Sequence, residues 1–349
     1  MAGMEEHGID TLTRERIFDQ LKAFADFGFP ESHSFSFAHI VYASAWLKVH
    51  APEHFYAAIL SSQPMGFYSS ATLVQDARRH GVTVLGPGEQ EYREGRPDPL
   101  PSRQAIPLDV DEELVVRIGL SSVRGLGRAA ERIVRVRETG AFSSQADLTN
   151  RAHLSASDME CLAMAGALEC LGAGRREGIW AAGALAAPTA RQGEWQPFLP
   201  GTEVGTLVPD LPPLTRTEQM RADIEATGLT PGEHPFSYLR EDLPPGVLRA
   251  AELGAHLDRR IVDVAGLVTH RQRPHTGGGV TFLSLEDDTG YVNVSVAVGT
   301  WNKFRRVGLE SDALLVSGTL EWGDGAINVR AFRLRAVELP IDVRSRDFR

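Results

Sequence analysis

Hydrophobic residues recur at helical spacing through the first quarter of the chain. Between Arg14 and Phe27 the apolar side chains fall three and four positions apart, which predicts an amphipathic helix. The segment 37–47 is rich in Ala, Tyr, Val and Trp, so we expect a helix that is buried on most sides. Shorter helices are predicted at 53–60, after a proline, and at 70–80. Residues 1–86 are therefore predicted to be helical.

Two segments rich in Pro and Gly interrupt the helical pattern. The first, 87–113, carries so many turn-forming and charged residues that it predicts a connector on the surface. A second helical block follows at 114–185. The second interruption, 186–256, predicts a linker that contains short helices.

The hydrophobic period changes from helical to alternating beyond residue 257. Five short runs alternate apolar and polar residues, and Gly and Asp turns separate most of them. The runs are RRIVDVAGLVTHR, GVTFLSLED, YVNVSVAV, ALLVSGTLEW and AINVRAFRLRAV. A longer insertion, 299–312, separates the third run from the fourth, which is the layout of a five-stranded OB-type β-barrel. We assign this barrel to 257–340 and a tail to 341–349.

Composition narrows the class of protein. The chain has 349 residues with 46 acidic and 36 basic side chains, and a formal net charge of −10. No apolar run reaches the roughly 18 residues of a membrane helix, and the polar start MAGMEEHGIDTLTRER predicts no secretory signal. Cys161 and Cys170 are too few for a disulfide framework or a structural zinc site. We expect a cytoplasmic protein that binds no metal and no membrane.

Positive charge is concentrated locally despite the acidic total. The segment 121–137 holds five arginines and one acidic residue, Glu131. Because binding to nucleic acid depends on where the positive charge lies rather than on the total, an acidic chain can still present a DNA-binding surface.

The string SSVRGLGRAAERIVRVRE within this segment resembles the helix–hairpin–helix DNA-binding element. Gly125 and Gly127 would permit its tight turn because they lack Cβ. The backbone N–H groups of the turn, at the start of the next helix, can hold a phosphate oxygen. Arg124, Arg128 and Arg132 would add charge beside that phosphate without reading bases. The fold class predicted for the whole chain is therefore multi-domain α+β, with all-α N-terminal and helix–hairpin–helix regions followed by the OB-type barrel.

A structural alternative stays open for the hairpin. The same letters suit a glycine turn between two core helices, with the arginines merely solvated. The helical spacing of Ala130, Ile133 and Val134 and the excess of arginine favour contact with the DNA backbone. Three leucines farther along are expected in the core: Leu148, Leu162 and Leu168.

The barrel offers candidate contacts for single-stranded nucleic acid, since OB barrels stack bases on aromatic side chains beside a positive groove. The candidates are Arg271, Arg273, Phe282, Tyr291, Trp301, Lys303, Phe304, Arg305, Arg306 and Trp322. For the aromatics the alternative is that they fill the barrel core. A barrel of this type can also dock a protein, so the fold alone does not identify the ligand.

Several motifs together resemble one family. The segment 24–84 is similar to the end of the fingers region of the error-prone branch of bacterial C-family DNA polymerases. The motifs QPMGFYS and DARRHGV within it carry this resemblance. The order downstream also fits: the hairpin, then PPLTRTEQMRADIEATGL, then RQRP and GVTFLSLEDDTG, and a terminal RSRDF. The resemblance extends over nearly the whole chain.

The resemblance implies a function and also a limit. Family members catalyse two-metal phosphoryl transfer, with Mg²⁺ held by carboxylates of the palm. No matching acidic motif occurs here, so Mg²⁺ is expected only for the complete polymerase, and this chain alone should not polymerise. By position in the family, His33, Tyr42 and Lys48 could contact nucleotide or template. The alternative for His33 is a helix cap or hydrogen-bond anchor.

The resemblance also raises the question of partners. DNA, both duplex and single-stranded, is the expected ligand, and the rest of the polymerase is a partner if it is supplied separately. A sliding clamp would be reached through accessory proteins. Direct clamp peptides are weakly suggested by Gln145–Leu148, where Leu148 suits the core, and by 192–198, which suits a linker pinned by two aromatics.

Three hypotheses remain. The leading one is the DNA-holding C-terminal region of an error-prone polymerase, acting in translesion synthesis and DNA repair. The second is a stand-alone, non-catalytic DNA-binding protein that recruits repair factors. The third is an independent nuclease using Glu286, Asp287 and Asp288, which lack a second cluster of acids or His ligands.

Overall fold

The computed structural model describes residues 4, 7–26, 31–66, 68–88, 105–110, 113–186, 208–256, 258–274, 277–323, 326–339 and 346–348. The chain divides into two compact units, one ending at Ala51 and one beginning at Pro52. This boundary lies inside the region 1–86 that we had assigned to one helical segment. No helix among the described residues is both long enough and apolar enough to cross a membrane.

The first unit contains helices α1, Thr11–Asp26, and α2, Glu31–His50. The expectation that 37–47 is buried on most sides is wrong for this structure. Apolar side chains lie on several sides of α2, and Trp46 is 50% exposed. Most of the described apolar side chains of α2 are exposed, so the helix presents an apolar surface.

The second unit starts with two helices and a small sheet. Helices α3, Pro52–Ser61, and α4, Ser70–Arg79, precede strand β1, Thr83–Leu85. Strand β3, Glu113–Ile118, pairs in parallel with β1 and antiparallel with β2, Ala105–Val110. Strand β2 thus lies within the segment 87–113 that was predicted to be a connector. A strand as short as β1 is too brief for its alternation to be recognised.

The helix–hairpin–helix region packs four helices around an apolar core. They are α5, Arg128–Arg137; α6, Gln145–Ala152; α7, Ala156–Met164; and α8, Arg175–Ala186. Ser144 and Ser155 begin α6 and α7 by accepting a backbone N–H with their side chains, the usual role of an N-cap serine. Leu148, Leu162 and Leu168 are buried in this core, as predicted. Helix α9, Arg216–Thr227, follows and begins with a capping box at Thr215.

The C-terminal part is a closed barrel. After a two-residue strand β4, Val247–Leu248, its strands are β5, Ile261–Gln272; β6, Thr281–Glu286; β7, Tyr291–Val296; β8, Ala313–Gly323; and β9, Ala326–Ala336. Strand β5 pairs with both β6 and β8, and β6 pairs with β7. Strand β7 pairs in parallel with β9, and β9 pairs with β8, so the circle closes. This mixed five-stranded closure confirms the predicted OB-type barrel.

Helices and short strands border the barrel. The predicted insertion 299–312 is helix α10, Val298–Glu310, and Trp301 on it is buried in the barrel core. The 3₁₀ helix Pro235–Asp242 covers the outside of β5 and β8 with Phe236 and Leu239. Strand β10, Arg346–Phe348, lies beside the end of β5.

Candidate nucleic-acid interface

The hairpin places two glycines in backbone conformations that other residues rarely adopt. Gly125 has φ of 83° and Gly127 has φ of 48°, as expected for residues without Cβ in a tight turn. A Cβ on Gly125 would lie 2.9 Å from Cys161 Sγ, so α7 also excludes a side chain there. Leu126, between the two glycines, is buried in the core. The buried Leu126 therefore anchors the turn to the core, and the backbone of the turn faces solvent.

Several backbone N–H groups at this turn have no acceptor among the described residues. The N–H groups of Gly125, Gly127 and Arg128 donate to no other described residue, whereas Ala129 N–H is already bonded to Leu126 O at 3.0 Å. Consecutive free N–H groups at a helix start attract an anion, and the positive end of the helix dipole adds to this attraction. The N–H groups of Gly127 and Arg128 are thus left available at the start of α5, and the predicted phosphate contact stays a prediction.

The three hairpin arginines have different roles. Arg128 is exposed and has no partner in the part of the chain that the structure describes. Arg124 instead donates from Nη1 to Ile224 O at 3.2 Å and to Glu225 O at 3.1 Å. Those carbonyls end α9, so Arg124 fastens α9 to the hairpin. Arg124 thus has a structural role that the sequence analysis missed, and its predicted contact with a DNA phosphate stays a prediction.

Arg132 is likewise committed to the protein. Its Nε donates to Ala152 O at 3.1 Å, and Nη2 lies 3.4 Å from Asp158 Oδ2. These contacts tie α5 to the end of α6 and the start of α7. Of the predicted hairpin cations, Arg128 is the one without a partner among the described residues.

On the barrel, Arg271 and Arg273 differ in the same way. Arg271 is 6% exposed, its Nε donates to Gly308 O at 2.8 Å, and Nη2 donates to Ser311 O. It joins the C-terminal end of α10 to the barrel, a structural role that the sequence analysis missed, and its predicted contact with DNA stays a prediction. Arg273 is exposed beyond the end of β5 and is available to a ligand.

One face of the Tyr291 ring is covered by the protein itself. The guanidinium carbon of Arg79, on α4, lies 5.1 Å from the centre of its ring, so α4 covers one face. The neighbouring Glu286 accepts from Arg79 Nη1 at 3.0 Å and from Thr72 Oγ1 at 3.3 Å. Burial raises the pKa of Glu286 to about 7, although Arg79 opposes the rise. This end of β6 and β7 is occupied by the protein's own helix.

The open part of the same barrel face lies farther along the strands. Phe282 on β6 is 42% exposed and stands directly opposite Ser295 on β7, which stands opposite Arg330 on β9. Cross-strand neighbours point to the same side of a sheet, so these side chains form one outward row. Arg330 was missed by the sequence analysis. The alternation of arginines in AINVRAFRLRAV was the signal that could have identified it.

The remaining barrel candidates fall into two groups. Trp301 is 4% exposed and Phe304 packs against the core, which confirms the core alternative for these two rings. Trp322 is 49% exposed. On the same strand, Thr319 stands opposite Arg330 and so faces the same side as the Phe282 row. Trp322 is three residues from Thr319, an odd spacing that places it on the opposite side of the strand. It therefore points away from the Phe282 row.

The basic residues of α10 are exposed. Lys303 Nζ lies 5.3 Å from the centre of the Phe304 ring, and Arg306 Nε pairs with Glu310 Oε2 at 2.9 Å on the surface. Arg305 has no partner among the described residues. Such solvated charges can exchange a weak surface partner for a phosphate.

The predicted nucleotide contacts belong to the first unit. His33, Tyr42 and Lys48 all lie on α2, where His33 and Tyr42 are exposed and Lys48 is half-buried. The His33 ring packs edge-on against Phe37, with ring centres 4.5 Å apart. A neighbouring helix residue thus already holds the imidazole.

The acidic turn of the nuclease hypothesis is a structural network. Asp287 Oδ2 accepts from Arg240 at 2.7 Å and from Ala250 N–H at 2.9 Å. Asp288 pairs with Arg240 at 2.9 Å and Arg249 at 3.2 Å. No group of three or more His, Cys, Asp or Glu that could hold a metal occurs among the described residues. The candidate clamp peptide 192–198 lies outside the described residues, and Leu148 of the other is core.

Two family models match the two parts built above. A helix–hairpin–helix motif model matches residues 97–178, and a model of an OB-fold nucleic acid binding domain matches residues 262–337. The fold and its outward groups define a nucleic-acid-binding protein of two modules.

Similarity to curated proteins is more specific. An error-prone DNA polymerase of Mycolicibacterium paratuberculosis is 46% identical over 98% of this chain and 30% of its own length. One of Cutibacterium acnes is 42% identical over 99% of this chain and 33% of its own length. The chain is thus related by sequence to error-prone DNA polymerases and corresponds to their C-terminal portion, spanning about a third of their length. This relationship supports DNA binding.

A solved structure is similar in part. The asparaginyl-tRNA synthetase of Pyrococcus horikoshii matches with 22% identity and a TM-score of 0.24, over 27% of this chain and 24% of its own.

Proposed function

We propose that this chain holds DNA for an error-prone polymerase that acts in translesion synthesis and repair-associated replication in the cytoplasm. The observation that carries the proposal is the 46% identity to such polymerases over 98% of the chain. The helix–hairpin–helix module would grip duplex, and the barrel would guide the single-stranded template.

The hairpin supports the duplex assignment. Its unused N–H groups and Arg128 can bind the regularly spaced phosphates of a duplex without reading bases. The turn has no exposed aromatic on which a base could stack. A backbone-only contact of this kind suits a polymerase, which must hold any sequence.

The barrel supports the single-strand assignment. Phe282 provides an exposed ring in the row that leads to Arg330, and Arg273 is an exposed cation just beyond the end of β5. A ring next to positive charge is the combination that binds unpaired bases with little sequence preference.

Polymerisation itself would belong to a longer protein. The described residues contain no candidate metal cluster, whereas two-metal phosphoryl transfer needs carboxylates that hold Mg²⁺. We therefore expect no primer extension by these 349 residues with Mg²⁺. Extension above background would contradict this assignment. The rest of the polymerase, and a sliding clamp reached through accessory proteins, are the partners to test by pull-down with purified components.

Binding of labelled duplex and of labelled single strand by fluorescence anisotropy tests the proposal. Arg128→Ala should weaken duplex binding and reduce the slope of log K against log salt by about 0.9. Arg273→Ala should weaken single-strand binding and reduce its slope by about 0.7. Arg216→Ala, which removes an exposed cation of α9, is the charge-matched control and should change neither. Absence of salt-dependent binding to both ligands would refute the proposal.

The runner-up is a non-catalytic protein that recruits repair factors. The exposed apolar surface of α2 favours it, because such a surface needs a protein partner. Recruitment predicts that a binding partner is retained by the full chain and lost when α2 is made polar, while DNA binding is unchanged.

A further inference from the structure

One strand of the barrel carries a series of exposed basic and aromatic side chains. We define the β9 strip as Arg330, Phe332, Arg333 and Arg335. All four are exposed, and Phe332 has 48% of its surface open to solvent. The intervening Leu334 is buried in the barrel core. The strip is therefore the outer surface of a strand whose inner side chains are fixed.

A break in the strand register exposes the aromatic ring. Strand β9 pairs Ala331 with Gly318 and Arg333 with the preceding Ser317, so Phe332 is an extra residue with no partner across the ladder. A β-bulge of this kind redirects a side chain and increases the local twist. The ring joins none of the apolar clusters of the described residues. The Phe332 ring is therefore exposed because of the backbone bulge and not because it packs against other side chains.

Most of the strip lies where β9 is paired with a neighbouring strand on one edge only. Strand β7 ends at Val296, the partner of Ala331, so residues beyond 331 have β8 on one side only. Helix α10 packs against β9, and it adds the exposed cations Lys303 and Arg305. An element in contact with β9 therefore also carries exposed positive charge.

Little negative charge offsets these cations. Arg330 pairs with Glu321 at 3.0 Å, but Arg333 and Arg335 have no acidic partner among the residues described. The surface is complementary to a polyanion. A flexible strand with unpaired bases fits best, because a ring between arginines can stack on a base while the arginines hold phosphates.

We propose that the β9 strip binds single-stranded DNA and extends the site that begins at Phe282. This inference rests on the proposed function of the barrel and adds residues to it. The outward row Phe282, Ser295, Arg330 leads directly into the strip. With strands roughly 4.8 Å apart and roughly 3.3 Å per residue, the two rings lie about 12 Å apart in the sheet. A strand crossing the barrel would meet both rings and the arginines after them.

Equilibrium binding of a fluorescent oligothymidylate to the full chain tests the proposal. Phe332→Ala should weaken binding by about fivefold or more, the loss of one stacked base. Phe332→Tyr keeps a stacking ring and should bind as the parent does. Leu309→Ala, which removes an exposed apolar side chain of α10, is the matched control and should have no effect. Circular dichroism melting of each variant checks that the barrel is folded.

Removing the charges gives a second readout. Arg333→Ala with Arg335→Ala should reduce the slope of log K against log salt by about 1.4, the value for two single-strand phosphates. Arg216→Ala with Arg221→Ala removes the same charge from α9 and should leave the slope unchanged.

The outcomes separate this proposal from the proposed function. If the parent chain binds the oligonucleotide and Phe282→Ala weakens it, while the Phe332 and Arg333/Arg335 variants bind as the parent does, the strip is not part of the site. If polyglutamate competes as well as oligothymidylate and Phe332→Ala changes nothing, the strip is a general polyanion surface and the proposal is overturned. If the parent chain binds no single strand, the proposed function of the barrel fails as well.

Discussion

Arg79 Nη1 and Glu286 Oε1 lie 3.0 Å apart, joining helix α4 to the end of strand β6. Glu286 is 3% exposed and its partner 18%, so the pair is largely removed from water. The two residues are 207 positions apart. The contact therefore helps to hold α4 over this end of the barrel face, and the part of the face farther along the strands stays exposed.

Arg79→Met should destabilise the second unit. The substitution keeps the packing of the alkyl chain but leaves Glu286 buried without its cation, which costs about 3 kcal/mol when the carboxylate is charged. The loss should be larger at pH 8.5 than at pH 6, because at the lower pH the carboxyl can take up a proton. Urea denaturation at the two pH values measures it. Arg306→Ala, which breaks the exposed pair with Glu310, should cost about 0.5 kcal/mol or less at both.

Glu286 should also impose a pH dependence on stability. Burial raises its pKa from 4.5 to about 7, so between these values the folded state holds a proton that the unfolded state has released. Stability from this group is therefore present below about pH 4.5 and is lost as pH rises through 7. Relative to Glu286→Gln, the parent should lose stability across this window. A flat difference between the two unfolding profiles would contradict the burial of this carboxyl.

His234 should act in the opposite direction. Burial lowers the pKa of His234 from 6.5 to about 4, so between these values the unfolded state binds a proton that the folded state excludes. Its contribution to stability is present above about pH 6.5 and is lost as pH falls through 4. His234→Asn, which keeps an acceptor for the Phe236 N–H, should remove this loss. The difference profiles of the two variants, measured by urea denaturation, should have opposite slopes.

Arg124 and Arg128 should separate stability from DNA binding. Arg124→Ala removes the donors to the end of α9 and should cost about 1 kcal/mol of stability, with duplex affinity per folded molecule nearly unchanged. Arg128→Ala should leave the melting temperature unchanged and weaken duplex binding. Thermal melting and anisotropy on the same samples distinguish them. Equal weakening of duplex binding by both would mean that Arg124 leaves α9 to contact DNA.

The same separation should hold on the barrel. Arg271→Ala leaves the carbonyls of Gly308 and Ser311 without their donor and should destabilise the barrel by about 2 kcal/mol or more. Arg273→Ala should have no effect on stability and should weaken single-strand binding. Denaturant unfolding combined with oligonucleotide titration measures both quantities. A destabilised Arg273 variant would indicate a structural contact for that side chain.

These pairs explain what the sequence could and could not predict. The five strands and the hairpin depend on local signals, an alternating period and two glycines, so their positions were predictable. Arg271 and Arg273 are two residues apart in sequence. Arg271 is structural because the C-terminal end of α10 lies against it, whereas Arg273 has no such neighbour and is exposed. Tyr291 is covered for the same reason, by a helix more than 200 positions away along the chain. Which arginine meets a carbonyl and which meets solvent is decided by tertiary packing.

The apolar surface of α2 should cause the chain to self-associate. Phe35, Tyr42 and Val49 are spaced seven residues apart and are 74%, 72% and 73% exposed, so they form one stripe along the helix. Burying such a stripe between two copies removes apolar surface from water, at about 25 cal/mol per Å². Phe35→Ser, Tyr42→Ser and Val49→Ser together should shift the chain toward monomer in sedimentation velocity. Leu12→Ser, at a 72% exposed site on α1, should change little, and a parent chain that is already monomeric at high concentration would show that the stripe does not drive association.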